Sequence, residues 1–114
     1  MHELSLVTSL FEVLEEEARK HGAQRVLSVR LRVGAMSGVV PDLLESAFDM
    51  YKKGTIAESA GLEIVVVPVK LRCPDCGGEA VREDTDFSCL ACGSRGVELV
   101  EGRDLVVDRI ELET

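Results

Sequence analysis

The sequence predicts an α+β fold: a two-layer body with two helices on one face of a three-stranded mixed sheet, plus an inserted zinc-ribbon lobe. Three observations support this. Apolar residues recur at helical spacing over residues 4–21 and 41–53, and the pattern switches to period two from residue 26. Two Cys-x-x-Cys-Gly runs also lie close together between residues 73 and 93. The expected division is a body at 1–70 and 97–114 with the ribbon at 71–96.

In the first segment Leu4, Val7, Leu10, Phe11, Leu14 and Ala18 share one helical face, with Glu12, Glu15, Glu16 and Arg19 opposite. Arg19, Lys20 and His21 suit the negative end of that helix, and Gly22 suits its left-handed cap. His21 is thereby explained as a helix-end residue.

From residue 26 to 34, Leu27, Val29, Leu31 and Val33 alternate with Ser28, Arg30 and Arg32, the pattern of a half-buried strand. One covered sheet face and one solvated face imply two layers. Arg30 and Arg32 read as solvated residues of the open face. Residues 34–40 form a loop, after which Pro41 and Asp42 open the second helix, where a missing N–H is tolerated. Its buried stripe is Leu44, Ala47, Phe48 and Tyr51, with Lys52 and Lys53 at its end and Gly54 as cap.

Thr55 and Glu58 have capping-box spacing, which predicts a short helical turn before Gly61. A strand is expected over residues 62–71, its β-branched run at 64–67 marking it as the most buried one. It should lie parallel to the first strand by a crossover connection. In the last segment Leu105 and Val107 have one parity and Ile110 and Leu112 the other. A β-bulge near Asp108 would restore all four to one face. The strands on either side of the ribbon are expected to pair antiparallel.

The ribbon reads Cys73-Pro74-Asp75-Cys76-Gly77, then Cys89-Leu90-Ala91-Cys92-Gly93. In each knuckle the glycine admits a tight turn that aims both thiolates at one point. Four thiolates suit a structural, closed Zn²⁺ site and leave no spare thiol for covalent catalysis. Two disulfides would need an oxidising compartment, and a redox pair needs a single Cys-x-x-Cys at a helix start. Spacing alone does not separate iron from zinc.

A chain of 114 residues can bury roughly 65% of its unfolded surface. The apolar run at 64–69 is interrupted by Pro68 and falls far short of the about 18 residues a membrane span needs. Glu3 stands where a secretory leader is basic, so the expected compartment is the cytoplasm. The formal charge of −8 disfavours nucleic acid and matches a basic protein partner or a cation.

Met1-His2-Glu3 precedes the first helix. The Met1 amine, the His2 backbone nitrogen and the His2 imidazole can close fused chelate rings of a kind suited to Ni²⁺ or Cu²⁺, with Glu3 beside them. Taken alone, a histidine at position two is an ordinary feature of a chain terminus.

The order of short motifs is more specific. Met1-His2-Glu3-Leu4-Ser5-Leu6, then Val33-Gly34-Ala35-Met36-Ser37-Gly38-Val39-Val40-Pro41, then Gly54-Thr55-Ile56-Ala57-Glu58 and the paired knuckles resemble the HypA/HybF family of hydrogenase nickel-incorporation proteins over essentially the whole chain. The resemblance implies a nickel metallochaperone that binds Ni²⁺ at its N-terminus and delivers it to the large subunit of [NiFe]-hydrogenase, working with a HypB-type nickel-handling GTPase. It also implies His2 as principal nickel ligand with Glu3 and Met1 beside it, and structural zinc on Cys73, Cys76, Cys89 and Cys92. A further carboxylate ligand from the loop before the second helix could come only from Asp42, since Ala35 and Val40 are apolar. The rival reading is a zinc-ribbon protein-interaction adaptor without nickel transfer. An enzyme is not expected, because the two histidines flank a helix and stand about 28 Å apart at 1.5 Å per residue.

Overall fold

A computed structural model describes residues 3–82, 88–89 and 91–114. The elements run in the order α1 (Glu3–Lys20), β1 (Arg25–Gly34), α2 (Pro41–Tyr51), β2 (Gly61–Val67), β3 (Val69–Arg72), β4 (Glu79–Arg82), β5 (Glu98–Glu101) and β6 (Leu105–Glu113). They build two three-stranded sheets, ordered β2-β1-β6 and β4-β3-β5, in a molecule 54 × 26 × 17 Å. In the first sheet β1 pairs with β2 parallel and with β6 antiparallel, so it is the mixed sheet expected. Both helices cover one of its faces.

The core is the meeting of that face with the helices. Val7, Leu10, Phe11 and Leu14 of α1 and Leu44 and Phe48 of α2 are buried against Val26, Val29, Leu31 and Val33 of β1. The Phe11 and Phe48 ring centroids lie 5.3 Å apart, within the range of a favourable tilted pair. Leu4 and Tyr51, expected in the buried stripes, are 62% and 39% exposed because both sit at the outer edge of the helix pair.

Connectivity fixes the direction of both helices. The chain turns directly from α1 into the start of β1, with Ala23 N–H on the Ala18 carbonyl and Gln24 N–H on the Glu113 carbonyl. The segment after α2 returns to the same place, where Val26 N–H donates to the Ile56 carbonyl at 2.9 Å. Both helices therefore run antiparallel to β1, and both begin at the end of the sheet where β1 finishes.

Several expectations need correction. Leu27 points outward and Val26 inward, because the β1–β6 register shifts between Val26 and Ser28 and leaves Leu27 as the extra residue. The single strand expected at 62–71 is two strands in different sheets. Pro68 has no N–H for a ladder and stands at the break. The most buried strand is β1, because β2 lies at the sheet edge, where Val65 and Val66 remain exposed. The strands flanking the ribbon do not pair with each other in the body, since β2 and β6 lie on opposite sides of β1; β3 and β5 form the antiparallel pair. Residues 55–58 form a hydrogen-bonded turn and not a helix, with Thr55 Oγ1 accepting from Ala57 N–H. The second sheet is built from β3, β4 and β5.

The bulge at Asp108 is present. Arg30 pairs with Arg109 and Leu31 with Val107, skipping Asp108, and Leu105, Val107, Ile110 and Leu112 all pack on the core. On the open face Arg30 is not a lone solvated residue: it lies between Glu63 at 3.2 Å and Asp108 at 3.8 Å.

The two sheets join at a narrow neck. Gly34 N–H donates to the Asp104 carbonyl, Ala35 N–H to Val67 and Met36 N–H to Gly102, at 2.8, 2.8 and 2.7 Å. The helix N-termini open at this same end of the body.

Candidate metal centre

Strand β3 delivers Cys73 directly after Arg72, and the backbone then folds into two matching knuckles. In the first, Gly77 N–H donates to the Cys73 carbonyl and Cys73 N–H to the Gly78 carbonyl. In the second, Gly93 N–H donates to Cys89 and Cys89 N–H to the Ser94 carbonyl. Gly77 and Gly93 have φ of 74° and 76°, a left-handed conformation that a side chain would strain. This is the physical reason each pair is followed by glycine.

The four sulfurs converge. Cys73 and Cys92 lie 3.6 Å apart, as do Cys76 and Cys89, and all four sulfurs are within 4.8 Å of one another. A tetrahedral Zn²⁺ with Zn–S of about 2.3 Å needs sulfur separations of about 3.8 Å, so the donor set fits a structural zinc ion. Among the described residues this is the one group of three or more candidate ligands that come together. Cys73 is buried, while Cys76 and Cys92 are exposed, so the centre lies at the lobe surface.

The environment separates the thiols. Amide donors from Cys92 and Ala91 hold the Cys89 thiol down at about 6, so it meets a cation as a thiolate at neutral pH. At Cys92 the Ser94 amide acts downward, but the adjoining Cys73 and Cys89 sulfurs outweigh it and push the thiol up to about 12. Crowding four sulfurs is unfavourable for successive deprotonation, and a divalent cation relieves it. One feature escaped the sequence reading: Ser94 Oγ donates to Asp75 Oδ2 at 2.6 Å, tying the second knuckle to the first. The only sequence signal was a carboxylate between the cysteines of one knuckle and a hydroxyl two residues beyond the other.

Of the nickel candidates at the chain start, Glu3 opens α1 and is half-buried; Met1 and His2 lie outside the described residues. Asp42 stands in the first turn of α2. Glu3 and Asp42 thus both lie at the neck end of the body, while the sulfur cluster belongs to the other lobe. His21 lies at the opposite end of α1, 3.6 Å from Glu17, as a helix-end residue should.

A family model described as hydrogenase/urease nickel incorporation, metallochaperone, HypA, matches residues 1–112. The chain belongs to the HypA family. It is 41% identical over 113 residues to hydrogenase maturation factor HypA of Aquifex aeolicus, covering 99% of this chain and 98% of that one. It is 39% identical over 113 residues to the HypA of Moorella thermoacetica, covering 99% and 100%. The solution structure of the Ni metallochaperone HypA from Helicobacter pylori superposes with a TM-score of 0.71 at 30% identity, covering 99% of this chain and 98% of that one. HypA relatives are thus named as maturation factors and metallochaperones. Among the described residues no helix is long and apolar enough to cross a membrane.

Proposed function

We propose that this protein binds Ni²⁺ at its N-terminus and delivers it to the large subunit of [NiFe]-hydrogenase in the cytoplasm, without catalysing a reaction. The supporting observation is the HypA family match across residues 1–112. In this reading His2 is the principal ligand, the Met1 amine and Glu3 complete part of the shell, and a HypB-type GTPase is the partner that handles nickel with it. The zinc lobe at the far side of the neck is a separate structural domain on Cys73, Cys76, Cys89 and Cys92.

The position of Glu3 supports the reading physically. It stands where α1 begins, at the neck end of the body. A site built on a chain end also releases its ion one bond at a time, which suits a carrier. Nitrogen donors rank Cu²⁺ above Ni²⁺, so selectivity rests on partner docking and metal supply.

Imidazole and α-amine ordinarily titrate near 6.5 and 7.7, and both must be neutral to bind. Nickel affinity therefore falls as pH drops through that range. Calorimetry with Ni²⁺ on the untagged protein tests the site: His2→Ala should lose stoichiometric nickel while keeping zinc and fold. Undiminished nickel binding by that variant overturns the His2 assignment, whereas no nickel bound by the native chain favours the adaptor reading.

A further inference from the structure

The helix layer buries its inner face and leaves an apolar strip on its outer one. On α2, Leu43, Ala47 and Met50 recur at i, i+4 and i+7, beside the buried Leu44–Phe48 stripe. Leu43 is 53% and Met50 77% exposed. The strip continues across to α1. The Phe11 ring lies 4.8 Å from that of the half-exposed Tyr51, and Leu4, two helical turns before Phe11, is on the same α2-facing edge. Two parallel helices with apolar residues along their seam form a groove into which a third helix packs at the usual 8–10 Å.

Charge decides what fits. Glu12 and Glu15 border the strip on α1 and Asp42 on α2; all three are exposed and have no ion-pair partner among the described residues. A second copy of this chain would bring the same acidic rims against themselves, with a formal charge of −8 on each molecule. Anionic lipid is repelled for the same reason. A helix with an apolar stripe and basic flanks meets neither penalty. Met50, unbranched and flexible, adapts to the side chains of such a partner.

We infer that the outer groove between α1 and α2 is a docking site for a basic amphipathic helix of a partner protein. Because both helices begin at the neck, a docked helix that follows the groove runs toward the start of α1, where Glu3 stands. What is handed over there rests on the nickel reading; the surface itself does not.

The test uses zinc-loaded, nickel-free protein and a fluorescein-labelled peptide of about 18 residues, with leucines at i, i+3, i+4 and i+7 and lysines on both flanks. Anisotropy should report binding that weakens about tenfold in Met50→Glu and in Leu43→Glu. Both side chains are exposed, so circular dichroism should be unchanged. Glu12→Lys with Glu15→Lys should weaken it several-fold, and Val66→Glu on the sheet edge should leave it intact. Amide shifts induced by the peptide should fall on α1 and α2. Equal binding of a peptide with glutamate in place of lysine, shifts confined to the sheet, or no loss in Met50→Glu would overturn the proposal. So would concentration-dependent dimerisation through this face or its binding to phosphatidylglycerol vesicles. Nickel titration of Met50→Glu separates the two claims: nickel retained with peptide lost supports both, whereas nickel absent from every form with peptide bound defeats only the metal reading.

Discussion

Gly34 and Gly102 meet backbone to backbone at the neck. A methyl on Gly34 would stand 2.3 Å from the Gly102 carbonyl carbon and oxygen, and one on Gly102 would stand 2.8 Å from Val69 Cα. Backbone cannot swing aside as a side chain can, so either substitution must shift the junction of the two lobes. Gly34→Ala should destabilise by at least the about 1–3 kcal/mol of an overpacked interior, lowering the melting temperature by several degrees. Gly61→Ala is the matched control, because a methyl there meets nothing within 4 Å. Equal melting temperatures for the two variants would refute the tight neck.

The body should fail where its helices meet. Phe48 is fully buried and holds Phe11 on one side, while Lys52 Nζ lies 5.7 Å above its ring. Phe48→Ala should cost about 3–5 kcal/mol, visible as a lower midpoint in urea with zinc retained. Met50→Ala, two residues further on and on the exposed side of the helix, should change the midpoint little.

Zinc retention should depend on pH in a direction set by the thiols. Without metal, the lowered value of Cys89 contributes stability above its unfolded value of 9.0, lost as pH falls through about 6. The raised value of Cys92 favours the thiol, a contribution present below 9.0 and lost as pH rises toward 12. Zinc requires both as thiolates, so protons compete increasingly as the solution is acidified, and Cys89 is the last to yield. Chromogenic zinc release should therefore accelerate as pH falls toward 6, and Cys89→Ser should release zinc at a higher pH than the native chain. Release independent of pH from 8 to 5 would contradict the four-thiolate centre.

The Ser94–Asp75 hydrogen bond predicts a kinetic effect. It is exposed, so its loss should cost no more than about 1 kcal/mol, or roughly a fivefold change. Ser94→Ala should speed chelator stripping of zinc by about that factor while leaving the zinc content of untreated protein unchanged. An unaltered stripping rate would show that the knuckles hold together without it.

Much of this molecule is specified by local sequence. The four cysteines define their centre through spacing and the following glycines, because the knuckle turn is local chemistry. The slip in parity between Val107 and Ile110 was enough to place a bulge at Asp108, since one buried face tolerates no register error. Helices α1 and α2 followed from periodicity alone.

Other features depend on which element lies beside which, and no local pattern records that. The run Ile64-Val65-Val66-Val67 has the same β preference at an edge as at a centre, and only pairing made β1 central and β2 peripheral. Pro68 was visible as an interruption, but whether the chain bends there or continues depends on a second sheet to receive Val69. The approach of Gly34 to Gly102 and the link from Ser94 to Asp75 join residues far apart in the chain. By itself the sequence determined both helices, the first and last strands, the four sulfur donors and the family to be expected. The tertiary structure decided their adjacency, because contacts between distant segments arise only when the whole chain buries its apolar faces together.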